Sequence, residues 1–99
     1  MKTSEIKTID VNTKTWFDRT YGNTYFAQRI VLNYSMPDEM EITNPFKYGY
    51  SSYEHEAMTR IKKDIPNFNF TNTYDLRQAG IVFRHNKYDN CKQRELKNI

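Results

Sequence analysis

At 99 residues the chain has room for one folded domain with one core and one binding surface, and too little left over for a deep enclosed active site. Hydrophobic residues make up 37% of it and aromatic residues 15%, so rings carry much of the core; with charged residues at 27% and of mixed sign, this composition excludes a disordered chain. Fifteen Lys and Arg against twelve Asp and Glu leave a net charge of +3, too small an excess to mark a nucleic-acid or membrane-surface protein by charge alone.

One cysteine, Cys91, rules out a disulfide within these residues, so the fold rests on packing. No stretch approaches the roughly 20 apolar residues of a membrane span, and the first residues lead into no apolar run of signal-peptide length. The expectation is a single domain over residues 1–99, with residues 91–99 as a charged tail, acting in a cytoplasm.

Taken in chain order, residues 5–11 alternate through Ile9 and Val11 and predict a strand. Residues 13–23 carry the turn formers Asp18, Gly22 and Asn23 and predict a connection, one that bears Trp16, Phe17 and Tyr21. Residues 24–34 predict the clearest strand, with Phe26, Ile30, Leu32 and Tyr34 on one face, interrupted by Gln28, and Tyr25, Ala27, Arg29, Val31 and Asn33 on the other. A turn at residues 36–39 precedes a short strand through Met40 and Ile42. Asn44-Pro45 is expected to end that strand or hold it at an edge, because proline cannot donate to a central ladder.

Ser51 and Glu54 form a capping-box pattern ahead of a helix whose apolar stripe is Tyr53, Ala57, Ile61 and Ile65 with Met58 beside it; Pro66 stops it. Phe68 and Phe70 mark a loop or short strand. Residues 73–80 predict one or two helical turns, capped by Thr73 and terminated by Gly80. Ile81, Phe83 and His85 alternate in a last strand, and Leu96 and Ile99 are the tail residues expected to touch the body. The architecture that follows is α+β: an antiparallel sheet of three to four strands with one main helix packed on one face.

Chemical signatures are absent. Gly22, Gly49 and Gly80 are too scattered for a phosphate loop, and one Cys with two His cannot supply a zinc site, so neither a metal nor a cofactor is expected and the chain does not read as an enzyme. His55 reads as a solvated helix residue beside Glu54 and Glu56, His85 as a half-buried structural histidine. A Cys91–His85 nucleophile pair lacks an orienting third residue. Two binding readings remain. One is a protein partner met by the aromatic residues Trp16, Phe17, Tyr21, Tyr48 and Tyr50. The other is single-stranded nucleic acid, with Tyr25 stacking and Arg29, Arg84, Lys87, Lys92 and Arg94 neutralising phosphates; the acidic stretch of Asp38, Glu39, Glu41, Glu54 and Glu56 works against it.

The run from Ile9 to Asp18 with Trp16-Phe17-Asp18, the following Gly22-Asn23-Thr24-Tyr25-Phe26 and the later Pro45-Phe46-Lys47-Tyr48-Gly49-Tyr50 resemble a family of small uncharacterised proteins encoded by tailed phages. The resemblance covers the first half to two-thirds of the chain and carries no catalytic residues with it. It implies a phage or prophage accessory protein. Such proteins often act by binding, among them inhibitors of host defence systems such as anti-CRISPR proteins.

Overall fold

The alternation begun at Ile9 and Val11 continues through Thr13 and Thr15. β-Branched residues at every second position favour extended backbone over Thr8–Asp18, the strand β1. The structure is a computed structural model describing residues 1–49 and 52–99. All four of those alternating residues are buried. Trp16 and Phe17 therefore stand on a strand and not in a connection, and the loop shrinks to residues 19–22. The turn chemistry expected there is present: Gly22 adopts a φ of 70°, and the Asp18 carboxylate accepts the Thr20 amide at 2.9 Å.

The hairpin delivers the chain into β2, Asn23–Leu32, antiparallel to β1 with Ile9 opposite Leu32 and Asp18 opposite Asn23. Strand β3, Met40–Tyr48, lies antiparallel on the other side of β2. It runs through Asn44-Pro45 instead of ending there. Register slips between Phe26 and Gln28, so β3 holds an extra residue at this point, and Pro45 sits in the resulting bulge of an edge strand, where its missing N–H forfeits no ladder bond.

From β3 the chain crosses to the far edge of the sheet through α1, Tyr53–Asp64, and α2, Thr73–Gln78, and enters β4, Val82–Tyr88. Strand β4 pairs with β1 in parallel, Thr8 opposite Val82 and Lys14 opposite Tyr88, so the order is β3-β2-β1-β4 and the sheet is mixed. The expected α+β class, strand number and helix placement hold, but the last pairing is parallel and not antiparallel. A chain that reaches the opposite edge by a helical crossover arrives in the direction it left, whereas a hairpin would reverse it.

Helix α1 lays Ala57, Met58 and Ile61, followed by Ile65, onto Ile9, Val11, Ile30, Leu32 and Ile42, and Phe68, Leu76 and Ile81 complete the cluster. Ser51 of the predicted capping box lies outside the described residues; Ser52 is the N-cap residue, with no side-chain capping bond. The cap of α2 is Asn72 and not Thr73: its side chain accepts the Asp75 amide at 2.8 Å, and Gly80, at φ 79°, follows the helix end. The tail folds back as α3, Gln93–Lys97, across β1, β2 and β3 on the face that α1 leaves free, with Leu96 fully buried. Among the described residues no helix is long and apolar enough to cross a membrane.

Candidate interaction surface

The face of the sheet under α1 changes character halfway along. One row of side chains crosses all four strands. Asn44 Nδ2 donates to Gln28 Oε1 at 2.9 Å, Gln28 Nε2 donates to Thr13 Oγ1 at 3.1 Å, and Thr13 Oγ1 lies 2.8 Å from His85 Nε2. Gln28 Nε2 also donates to the carbonyl of Tyr53, the first residue of α1, at 2.7 Å, so the row sits at the level where helix cover begins. Thr13, Gln28 and Asn44 are fully buried, and a chain of paired dipoles is how polar groups are tolerated there, although Asn44 Oδ1 at its β3 end is left without a partner among the described residues. The aliphatic core lies on one side of this row and the hairpin end of the sheet on the other.

At that end the helix no longer covers the sheet. An open groove of about 420 Å³ is lined by Thr15, Phe17, Thr24, Tyr53, Lys87, Asp89 and Asn90. Thr15 Oγ1 donates to Asp89 Oδ1 at 2.8 Å, and this bond, with Lys87 Nζ at 3.4 Å, holds the Asp89 carboxyl below its usual range. Lys87 also reaches over the Tyr53 ring, 5.4 Å from its centroid, while burial and then Asp89 push the Tyr53 phenol upward. Thr15, Asp89 and Lys87 engage one another, which makes the groove a polar, shaped recess whose carboxylate is already paired.

On the α3 side of the same end the aromatic residues form a stack. Trp16 and Tyr25 face each other across β1 and β2 at 5.4 Å between centroids, and Tyr25 and Phe46 stack at 5.0 Å and 7°. Tyr48 meets the edge of Tyr25 at 5.7 Å, and Lys97 of α3 lies over Phe46 at 5.8 Å. Cross-strand pairing explains the geometry, since Trp16 is in register with Tyr25 and Tyr25 with Tyr48. Rings remain exposed around this support: Phe17 (52%) on the α1 side, Tyr21 (78%) at the hairpin tip and Tyr48 (59%) on the α3 side.

Of the residues expected to meet a protein partner, Phe17, Tyr21 and Tyr48 thus converge on the hairpin end with their rings open to solvent. Trp16 is there too, half-buried as part of the stack, and Tyr50 lies outside the described residues. Of the nucleic-acid set, Tyr25, Arg29 and Arg84 share the α3 side of the sheet, but all three are engaged within the fold. Tyr25 is occupied between Trp16 and Phe46. Arg29 donates to Glu41 at 2.9 Å, and the guanidinium holds that carboxyl below its usual range; Arg84 binds Asp10 through two bonds. Lys87 projects to the α1 side of the sheet, and Lys92 and Arg94 belong to the start of α3.

His55 is exposed on α1. His85 turns to Thr13, while Cys91 Sγ donates to the Tyr88 carbonyl at 3.3 Å, and burial with Glu95 pushes the thiol upward, away from a reactive thiolate. Among the described residues no group of three His, Cys, Asp and Glu gathers that could hold a metal. The groove around Tyr53, Lys87 and Asp89 escaped sequence reasoning, because it is assembled by the parallel pairing of β4, for which no local signal exists. No protein-family model matches the chain, and no curated protein and no solved structure is similar to it.

Proposed function

We propose that this chain is a phage-type accessory protein that works in the bacterial cytoplasm by binding another protein through its hairpin end, and that its role is inhibition of a host defence system of the CRISPR kind. The observation that supports the binding reading is the gathering of Phe17, Tyr21 and Tyr48 at one end of a molecule 44 Å long, around the fixed stack of Trp16, Tyr25 and Phe46. Aromatic side chains held on paired strands offer large contact area and lose little freedom on binding, the property of interface anchors. The phage origin and the defence role rest on the motifs that resemble tailed-phage proteins.

The test is affinity capture from a bacterial lysate with the intact chain beside a Phe17→Ala/Tyr21→Ala/Tyr48→Ala variant of unchanged circular dichroism. The expected result is a protein retained by the first and lost from the second, and restored phage infection when the chain is expressed in a CRISPR-immune strain. Equal retention by both would overturn the assigned surface. Salt-sensitive anisotropy with short single-stranded DNA or RNA would replace the protein partner with nucleic acid.

A further inference from the structure

Strand β4 is the edge of the sheet opposite β3. The Val82 amide donates to the Lys7 carbonyl at 3.0 Å, which sets the phase of the whole strand: Val82, Arg84, Asn86 and Tyr88 turn their backbone groups to β1, and Phe83, His85 and Lys87 turn theirs outward. Those outward N–H and C=O groups have no hydrogen-bond partner among the described residues. Edges of this kind are normally blunted, and β3 is blunted by its bulge and Pro45. Strand β4 has neither device. Its two permanent charges are engaged within the molecule, Arg84 by Asp10 and Lys87 by Asp89, so they do not stand free to repel an incoming strand. Val82 and Tyr88, both 50% exposed, occupy its two ends on one face.

The geometry points to a second copy of this chain as the occupant of that edge, two β4 strands pairing antiparallel about His85 to join both sheets into one. In this register Phe83 and Lys87 exchange backbone bonds with Lys87 and Phe83 of the second copy. The closely approaching pairs between those bonds are Val82 with Tyr88 and Arg84 with Asn86. Each exposed apolar side chain is thereby covered by the other, and His85, opposite its own copy, keeps its ring turned inward to Thr13. Sliding by two residues one way sets Arg84 against Arg84; sliding the other way sets Lys87 against His85 and leaves Val82 uncovered. The favoured register is the one that both avoids opposed arginines and covers Val82 and Tyr88.

Antiparallel pairing also sends the two hairpin ends in opposite directions, so the dimer presents two copies of the aromatic surface far apart. A seven-residue edge buries less than the roughly 1,200–2,000 Å² of a stable interface, and the dimer is accordingly weak.

Sedimentation equilibrium from about 10 μM to about 1 mM tests this directly. The expected result is a monomer–dimer equilibrium that Lys87→Pro weakens at least about tenfold, since proline there removes an outward N–H and no bond to β1. Register is read by cysteine cross-linking in a Cys91→Ser background. Under mild copper-catalysed oxidation Val82→Cys/Tyr88→Cys yields a covalent dimer and Val82→Cys alone does not, because Val82 faces Tyr88 and not itself. Both sites are half-exposed, and matching circular dichroism spectra confirm that each variant is folded. A monomer at every concentration, a dimer indifferent to Lys87→Pro, or cross-linking of Val82→Cys alone would each overturn the proposal. A foreign peptide as the true occupant of the edge gives the first of these outcomes.

Discussion

Asn33 ends β2 in a left-handed conformation, φ 55°, with no exposed surface, and its side chain is used completely. Its Oδ1 accepts the amides of Lys7 and Thr8 at 2.6 and 3.2 Å, and its Nδ2 donates to the Glu5 carbonyl at 2.9 Å and to Asp38 at 3.1 Å. Asn33→Ala leaves backbone groups of the entry to β1 unpaired and keeps a Cβ at positive φ, a loss of about 2–4 kcal/mol expected in urea titrations followed by the single tryptophan. Period-two reading placed Asn33 on a strand face, since the residues it serves lie some 26 positions upstream. His85 was legible as half-buried from its phase with Phe83, but its partner was not. Burial, with a smaller push from Lys87 against the pull of Glu54, lowers its pKa below the ordinary 6.5. The unfolded chain then takes up the proton first as pH falls. The stability His85 contributes is whole above about pH 7 and is lost as pH drops from about 6.5 toward the depressed folded value. Losses from Asp89, Glu41 and Glu95, whose carboxyls are lowered in the fold, begin only in the acid range below. The urea midpoint should therefore fall between pH 7.5 and 5.5 in the parent chain and stay flatter there in His85→Gln, which a titration at four pH values will measure.

Among the elements, α1 was the most legible, because a four-residue apolar repeat ending at Pro66 has a single reading, and Ala57, Met58, Ile61 and Ile65 are all buried. Strand β1 was cut short in the sequence reading because threonines at the inward positions look polar, whereas Thr13 and Thr15 are buried with their hydroxyls paired. In the tail, Leu96 was singled out as touching the body, but not the face it touches. That face is set by Ala27, the small buried residue on the α3 side of β2, and by the ring stack flanking it. Leu96→Ala should cost about 2–3 kcal/mol, with part of the loss taken as fraying of so short a helix. Fraying uncovers the stack, so Trp16 emission should shift to longer wavelength before the global transition; an unshifted spectrum would mean that α3 holds its place without Leu96.

At the scale of the whole molecule, the hairpins and α1 are local, and the sheet is closed by contacts spanning 72 to 74 residues, Thr13 with His85, Thr15 with Asp89 and Arg84 with Asp10. Sequence patterns carry no information on such a pairing: β4 shows the same alternation whether it lies parallel or antiparallel, and only the crossover length decides. The segment following α1 contributes Phe68, Leu76 and Ile81 to the cluster around Ile9, Val11 and Ile61, and Phe83 packs on its margin. A chain truncated after Pro66 keeps three strands and the main helix but loses that side of the core, and β1 becomes an open edge. A small domain buries too little surface to survive such a loss, so the truncated chain should give a collapsed, poorly dispersed amide NMR spectrum and no cooperative urea transition. The full chain should unfold cooperatively and refold on the millisecond-to-second scale of non-local topologies, slower than a helical bundle of equal length. A dispersed spectrum from the truncated chain would show that the three-stranded meander is the folding unit and the parallel closure an addition to it.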